Sequence, residues 1–201
     1  KDLRLSLYSV ADGSTKLIEQ NDYGTPNPAA WDKDGNYLAY EAELPNSSVV
    51  IKIFSVSTGQ SQIITSERLN SYSPQFSNDN QWLYFLSDRN LQTSVGSPWG
   101  PRQPEPYFEK TTKQYALSLT DHPSFPFTQP DGWVDEKKEN KEDEKASEKA
   151  KNVKTTKPAP AATLIDWSKA AKQLYELPLA GRNILRLRVT EKYLYWTEIE
   201  S

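Results

Sequence analysis

The side chains in this sequence that could carry catalysis are scattered along it, and the sequence groups none of them in a known catalytic pattern. His122 is the single histidine, in a turn-like, proline-flanked stretch, and cysteine is absent. The carboxylates that stand out by position are Asp32, Asp34, Asp79 and Asp88. A serine nucleophile needs a base within hydrogen-bond reach, and a metal site needs clustered His, Cys, Asp or Glu ligands. Since Gly-rich phosphate loops and Gly-x-Ser-x-Gly elbows are also lacking, the sequence predicts no catalytic residue, cofactor site or metal site.

The four carboxylates fit structural roles better than chemical ones. Asp32, Asp34 and Asp79 fall in two hairpin turns, where Asp stabilises the turn geometry. Asp88 and Arg89 come shortly after an apolar run, so they mark the end of a strand at the edge of its sheet. Their adjacency favours an ion pair over a catalytic pair. Both residues are candidates for docking or substrate-channel contacts.

The chain is organised around the stretch from Ser71 to Arg89. A short apolar run ends at Phe76, residues 77–80 have the composition of a tight turn, and a second run follows from Trp82 to Leu86. The second run is apolar at every position, so a strand there would have both faces buried. An antiparallel strand is buried on both faces only where further sheets stack on each side of it. The pattern therefore predicts the stacked sheets of a β-propeller.

The same pattern occurs about 45 residues earlier, which is the repeat length of a four-stranded propeller blade. Residues 30–40 match residues 75–85 in register and residue type, and residues 7–13 match residues 53–59. We predict strands at 3–10, 16–19, 29–31, 37–42, 49–56, 60–65, 75–76, 82–87, 114–119, 173–179 and 184–189. The expected fold is all-β, a partial propeller of four-stranded antiparallel blades of the WD40 kind.

Two segments interrupt the repeat. The first is a Pro/Trp-rich insertion at 90–113, between the second and third strands of its blade, with the apolar side chains of Trp99, Tyr107 and Phe108. It either packs on its own propeller or forms a lid or docking surface, in which case Trp99, Arg102, Tyr107 and Phe108 are candidate docking or channel contacts. A long loop within a compact domain is often functional.

The second segment, 135–162, is rich in Lys, Glu and Asp and then in Pro and Ala. Such a composition cannot bury enough apolar surface to offset its conformational entropy. We predict a disordered, solvated loop between blades, or a transient charged helix, that separates the blades of residues 1–134 from continuing propeller strands at 163–201.

Composition and chain ends limit the possible partners. The net charge of −3 and the spread of basic residues argue against nucleic acid, and no apolar run is long enough to span a membrane. Only about three blades are present, against four to eight in closed propellers. We therefore predict an open stack with exposed sheet edges that could support a homo-oligomer. In a closed monomer, Leu5 and Leu187 would instead occupy adjacent strands.

Two sets of residues resemble a known family. The repeated Trp/Phe-x-x-Asp-x-x-Tyr/Trp-Leu-x-Tyr/Phe core is similar to TolB-type blades. The stretch from Phe85 to Leu91, followed by Ser97 to Phe108, resembles the tricorn protease homologues of bacteria, and residues 165–167 and 177–179 are similar to the segment that follows in that family.

This resemblance implies a propeller segment that filters, guides or docks peptide substrates for a serine peptidase core and PDZ-like domain elsewhere in the parent chain. The family's catalytic residues lie outside this region, so none is assigned here. The alternatives are a free-standing TolB-like scaffold that binds a protein partner, and the propeller of a prolyl-oligopeptidase-type hydrolase. A bacterial homologue would be periplasmic, with the cytoplasm as the alternative.

Overall fold

The computed structural model describes residues 3–91, 110–120, 125–127 and 173–199, and all regular structure in these ranges is β-strand. The strands are β1 (Leu3–Tyr8), β2 (Thr15–Asn21), β3 (Asn27–Trp31), β4 (Tyr37–Glu43), β5 (Val49–Ser55), β6 (Ser61–Ile63), β7 (Ser71–Phe76), β8 (Trp82–Ser87), β9 (Lys113–Ser118), β10 (Leu174–Glu176), β11 (Ile184–Val189) and β12 (Leu194–Glu198). The predicted all-β fold is confirmed.

The strands form four antiparallel sheets that follow one another along the chain. Two are complete, in the orders β3-β4-β5-β6 and β7-β8-β9-β10, and two are pairs, β1-β2 and β11-β12. Three apolar layers fill the spaces between successive sheets. This is the arrangement of consecutive propeller blades, with the first strand of each sheet at one edge.

Strand β8 is buried at all six positions, as its sequence predicts. Its side chains alternate between the two neighbouring layers: Leu83 and Phe85 pack towards the β3–β6 sheet, while Trp82, Tyr84 and Leu86 pack towards β11–β12. Strand β4 is placed in the same way between β1–β2 and β7–β10. Burial of both faces therefore comes from stacked sheets.

The repeat seen in the sequence is also a repeat of backbone geometry. The turn before β4 has Gly35 at φ 72°, and the turn before β8 has Asn80 in the same left-handed region at φ 56°. Asp32 Oδ1 accepts a hydrogen bond from the Tyr37 amide at 2.8 Å, and Ser77 Oγ plays this part for the Trp82 amide at 2.9 Å. The later turn thus keeps the geometry with different residues.

The insertion at 90–113 lies between β8 and β9 in the chain, and the charged segment lies within one sheet and not between blades. Strand β10, which follows that segment, pairs with β9, so the segment joins the third and fourth strands of a single sheet. Sequence alone gave no pairing for the short β10 strand. Because the strands alternate in direction, the insertion and the charged segment leave this sheet at opposite ends.

Strand β11 departs from the simple alternation that its sequence predicts. A register shift lies between Ile184 and Arg186, so Ile184 and Leu187 are both buried while Leu185 is 52% exposed. A β-bulge turns the intervening residue out of the period-two pattern. Register shifts also occur in β3 and β7, the first strands of the two complete sheets.

The stack is open in the described part of the chain, as predicted. Leu5 is paired with Glu19 in β2, and Leu187 is paired with Trp196 in β12, so the first and last sheets do not share a ladder.

A first prediction concerns Asn80, whose side chain links two blades. Its Oδ1 accepts a hydrogen bond from the Lys33 amide at 3.0 Å, and its Nδ2 donates to Asp34 Oδ2 at 2.8 Å. Asn80→Ala should lower the free energy of unfolding by about 1–3 kcal/mol, because it loses both bonds and strains a left-handed backbone.

Asn80→Gly should cost less, since glycine accepts that backbone without strain. Urea denaturation measures both variants, with exposed Asn78→Ala in the same turn as the control. Equal stabilities for the Ala and Gly variants would contradict the strain component of this interpretation.

Candidate functional site

A polar groove runs along the first strands of three successive sheets. Strands β3, β7 and β11 each form a sheet edge on the same side of the stack, and the groove between them has a volume of about 490 Å³. Polar side chains dominate its walls; among them are Asn27, Glu41, Tyr72, Ser73, Gln75, Arg186 and Arg188. In a propeller the first strand of each blade faces the central channel, so the groove lies on the side that would line that channel.

Ser73 joins the two walls of the groove. It lies at the bulge of β7 with φ 53°, and its amide donates to Glu41 Oε1 at 2.7 Å. On the other side, its Oγ accepts a hydrogen bond from the Leu187 amide at 2.8 Å. At the bulge, Ser73 is not paired with β8 and instead forms hydrogen bonds with both neighbouring sheets.

The charges in the groove are of two kinds. Glu41 is bound by the Ser73 amide and by Asn27 Nδ2 at 3.3 Å, so its carboxylate has a structural task. Arg186 and Arg188 are exposed, and the side chain of neither forms a salt bridge or hydrogen bond with the described residues. Two guanidinium groups at alternate positions of one edge strand remain available to bind carboxylate or carbonyl oxygens.

Tyr72 connects the groove to the base of the insertion. Asp88 Oδ1 accepts hydrogen bonds from the Tyr72 hydroxyl at 3.0 Å and from the Thr112 hydroxyl at 2.9 Å, and the two hydroxyls are 2.9 Å apart. The Tyr72 hydroxyl also reaches the carbonyl oxygen of Ile184 at 3.5 Å. Burial raises the pKa of Tyr72 to about 12; the bond with Thr112 opposes this rise, and the negative charge of Asp88 adds to it.

Asp88 and Arg89 bind different partners, so the ion pair suggested by their adjacency does not form. Arg89 Nε donates to Ser87 Oγ at 3.0 Å, and its guanidinium lies 5.0 Å from the centre of the Tyr115 ring. The structure thus separates the two candidate contacts onto opposite faces of the sheet.

The insertion leaves and rejoins the sheet at a closed base. The Asn90 amide donates to the Thr111 carbonyl oxygen at 2.9 Å, and Asn90 Nδ2 donates to the Lys110 carbonyl oxygen. A Cβ at Gly181 would meet the Asn90 side chain and come within 2.7 Å of the Lys110 carbonyl oxygen, a backbone atom, so the loop before β11 favours glycine there. The other candidate contacts, Trp99, Arg102, Tyr107 and Phe108, lie outside the described residues, as do His122 and the segment 135–162.

Sequence reasoning did not find the groove. Tyr72 and Ser73 precede the repeated core, and their partners Ile184 and Leu187 lie 112 and 114 residues further along the chain. In the sequence, Arg186 and Arg188 alternate with apolar residues, a pattern that indicates only a half-buried strand. One signal could have indicated the groove, namely two arginines at alternate positions in a strand that begins a blade.

The described ranges hold no candidate metal site and no candidate membrane-spanning helix. They contain no group of three or more His, Cys, Asp or Glu side chains placed to hold a metal ion. Nor do they contain a helix long and apolar enough to cross a membrane.

Sequence comparison relates this chain to tricorn-type proteases. It is 29% identical over 100 residues to the tricorn protease of Thermoplasma volcanium, an alignment that covers 47% of this chain. It is 35% identical over 89 residues to a protein from Sulfurisphaera tokodaii that is provisionally named as a tricorn-like protease C-terminal subunit, covering 44% of this chain. The chain is similar to part of the tricorn proteases. The matched stretch spans 10% of the length of each of these relatives.

Structural comparison finds the same fold in part of the tricorn protease. The crystal structure of the tricorn protease superimposes on 94% of this chain with a TM-score of 0.62, at 15% identity, and the overlap is 16% of that structure. TolB from Acinetobacter baumannii is also a structural neighbour, with a TM-score of 0.39 over 57% of this chain and 23% of its own, at 18% identity. No protein-family model matches the chain.

A second prediction concerns the Tyr72 hydroxyl. Tyr72→Phe removes one of the two hydrogen bonds to the Asp88 carboxylate described above, and we expect a loss of about 1–2 kcal/mol in unfolding free energy at pH 8. Folding raises the pKa of Tyr72 from 10.0 to about 12. Its contribution is therefore fully present below pH 10 and is lost as the pH rises through 12.

Denaturation measured from pH 8 to 12 should show that the unfolding free energy of Tyr72→Phe falls less steeply with pH than that of the unaltered chain. The difference in slope should correspond to up to about one bound proton. Tyr8→Phe, which removes the hydroxyl of a 61% exposed side chain, is the matched control. A decline of unchanged steepness in Tyr72→Phe would contradict the assignment.

Proposed function

We propose that this chain is a non-catalytic propeller segment of a tricorn-like serine peptidase and takes part in proteolysis through peptide handling. The observation that carries this proposal is the coincidence of two independent similarities. Sequence identity of 29–35% to tricorn-type proteases falls within a chain whose fold superimposes on tricorn protease over 94% of its length.

Within that role, the groove along β3, β7 and β11 is the surface that contacts the peptide. Peptides present backbone carbonyl oxygens along their length and carboxylates at acidic side chains. Arg186 and Arg188 supply donors that no described residue uses, while Tyr72 and Ser73 hold the walls in place. The proposed action is to dock or guide peptide substrates towards a peptidase core elsewhere in the parent chain.

The insertion is the proposed docking element for the other domains of the parent, among which we propose a PDZ-like domain. Its base is fixed by Asn90, and Tyr72 ties that base to the groove. Trp99, Arg102, Tyr107 and Phe108 are the contacts proposed within it, with Asp88 and Arg89 at its start. The periplasm is the proposed compartment of a bacterial homologue, and the cytoplasm is the alternative.

The sequence comparison favours this proposal over the two alternatives. A free-standing TolB-like scaffold and a prolyl-oligopeptidase propeller share the blade architecture, but both sequence relatives are tricorn-type proteases. The fold itself is common to all three, so it does not separate them.

A third prediction is that the isolated 201-residue chain does not hydrolyse peptides. The reason is that the sequence shows no nucleophile with a base positioned beside it, and that its single histidine is His122. Fluorogenic peptides of mixed sequence, assayed beside His122→Ala, test it. Turnover by the chain that disappears in His122→Ala would overturn the non-catalytic assignment.

A fourth prediction concerns peptide binding to the groove. Fluorescein-labelled acidic peptides of about ten residues should bind the chain, and the double variant Arg186→Glu, Arg188→Glu should bind them about tenfold or more weakly. The cause is the replacement of two attractive charges in the groove by two repulsive ones. Fluorescence anisotropy at fixed ionic strength measures the affinity.

The control makes the same change of net charge away from the groove, with Arg68→Glu and Lys192→Glu at exposed loop positions. Equal weakening by both double variants would show that net charge, and not the groove, determines binding. Absence of binding to the unaltered chain would remove the docking role, while leaving the sequence relationship to tricorn proteases in place.

A further inference from the structure

A cleft lies between the outer strands of the two complete sheets, at the opposite edge of these sheets from the groove. Strand β6 of one sheet and strands β9 and β10 of the other form its sides, and its volume is about 360 Å³. Arg89 supplies the only positive charge among its described lining residues, most of which are apolar: Ile63, Ile64, Phe85, Leu117 and Leu174. The cleft therefore combines a hydrophobic surface with one cationic group.

The two sides of the cleft are fixed by the sheets that form them. The Ile64 amide donates to the Ile51 carbonyl oxygen at 3.0 Å, and the Ile51 amide donates to Thr65 Oγ1 at 3.0 Å. On the other side, Leu174 pairs with Leu117 in the ladder between β10 and β9. Because these bonds lie within the sheets, the cleft is preformed, as binding pockets usually are.

The Arg89 guanidinium is held in a defined position in the cleft. Its Nε donates to Ser87 Oγ at 3.0 Å, and its centre lies 5.0 Å from the centre of the Tyr115 ring. Ser87 is itself fixed, because its Oγ donates to the Asn70 carbonyl oxygen at 2.7 Å and accepts from Ser71 Oγ at 3.2 Å. These contacts leave the two terminal amino groups of Arg89 without a hydrogen-bond or ion-pair partner among the described residues.

The carboxylates nearest to Arg89 are already bound by other groups. Asp88 accepts hydrogen bonds from two hydroxyl groups on the opposite face of the sheet. Glu176 forms a salt bridge with Lys113 and accepts a hydrogen bond from the Tyr115 hydroxyl at 3.2 Å. The charge of Arg89 is therefore not balanced within the described part of the chain. A guanidinium with free amino groups can bind a carboxylate through two parallel hydrogen bonds.

We propose that this cleft binds a short segment of a partner protein in which a large apolar side chain lies next to a carboxylate. The apolar side chain packs against Phe85 and Leu117, and the carboxylate accepts hydrogen bonds from Arg89. A volume of about 360 Å³ is within the range of about 300–1,000 Å³ for binding pockets. Arg89 directly precedes the insertion, so the choice of a protein as the occupant rests on the docking role proposed for that element. Peptide binding at the groove is not required.

A set of peptide probes tests the recognised chemistry directly. Each probe has about eight residues, blocked ends, a fluorescein label and a central pair between Gly and Ser residues: Phe-Glu, Phe-Gln or Ala-Glu. Fluorescence anisotropy should show that Phe-Glu binds about tenfold or more tightly than either other probe, because it alone supplies both the carboxylate and the apolar side chain.

Equal binding of Phe-Glu and Phe-Gln would overturn the proposal, since the guanidinium would then not recognise the carboxylate. Absence of Phe-Glu binding at about 1 mM would also overturn it, while leaving the groove and the relationship to tricorn proteases in place.

Variants of Arg89 test the same contact from the protein side. Arg89→Met keeps an apolar stem and removes the charge, so it should weaken Phe-Glu binding about tenfold or more. Arg89→Lys keeps the charge without the planar fork and should recover part of the affinity. The matched control is Lys192→Met, the same change of net charge at an exposed loop position. Urea denaturation checks that each variant is folded. Equal weakening by Arg89→Met and Lys192→Met would overturn the proposal.

Thiol protection tests where the probe binds, and the absence of native cysteine makes the measurement specific. Ser66 is an exposed residue that lines the cleft, and Asn78 is exposed in the turn before β8. Saturating Phe-Glu probe should slow the alkylation of Ser66→Cys about tenfold or more and leave that of Asn78→Cys unchanged.

An unchanged rate in Ser66→Cys would place the binding site elsewhere and overturn the proposal. Binding that requires the replacement of residues 92–109 by Gly and Ser would show that the chain's own insertion fills the cleft. That outcome would overturn a partner protein as the occupant.

Discussion

The structure depends on burying both faces of the second strand of each sheet. A side chain such as Phe85 or Leu86 contributes about 1.5–3 kcal/mol when it leaves water, and β8 has such residues on both sides. One neighbouring sheet could cover only one of these faces. The sequence of a single strand therefore requires a stack, and the repeated apolar strand 45 residues earlier requires it again.

The groove results from the same arrangement. Stacking occupies the faces of the sheets but leaves their first edges unpaired, so β3, β7 and β11 present polar groups along one side. The bulge in β7 then joins these edges through Ser73, while Tyr72 ties them to the insertion through Asp88. Peptide handling at the groove and docking through the insertion would share one connected set of hydrogen bonds.

The blades could be predicted because their signals are local. The apolar strand at 82–86, the turn residues at 77–80 and their earlier copies lie within short windows, and the antiparallel order follows from short connections. The strand at β10 was predicted but its pairing was not, since it has three residues and follows its partner β9 only after a long segment of unrelated composition. The groove was missed for a related reason. Tyr72 and Ile184 meet across 112 residues, and the bulge that exposes Leu185 breaks the period-two pattern.

Native-state amide hydrogen exchange tests the stacked-sheet account most directly. Strands β4 and β8 are paired on both edges and covered on both faces, so their amides should exchange only with global unfolding. Strands β1 and β12, each paired on one edge among the described residues, should exchange faster. Rapid exchange throughout β8, at rates like those of the turn at 77–81, would show that its faces are not covered and would contradict the account.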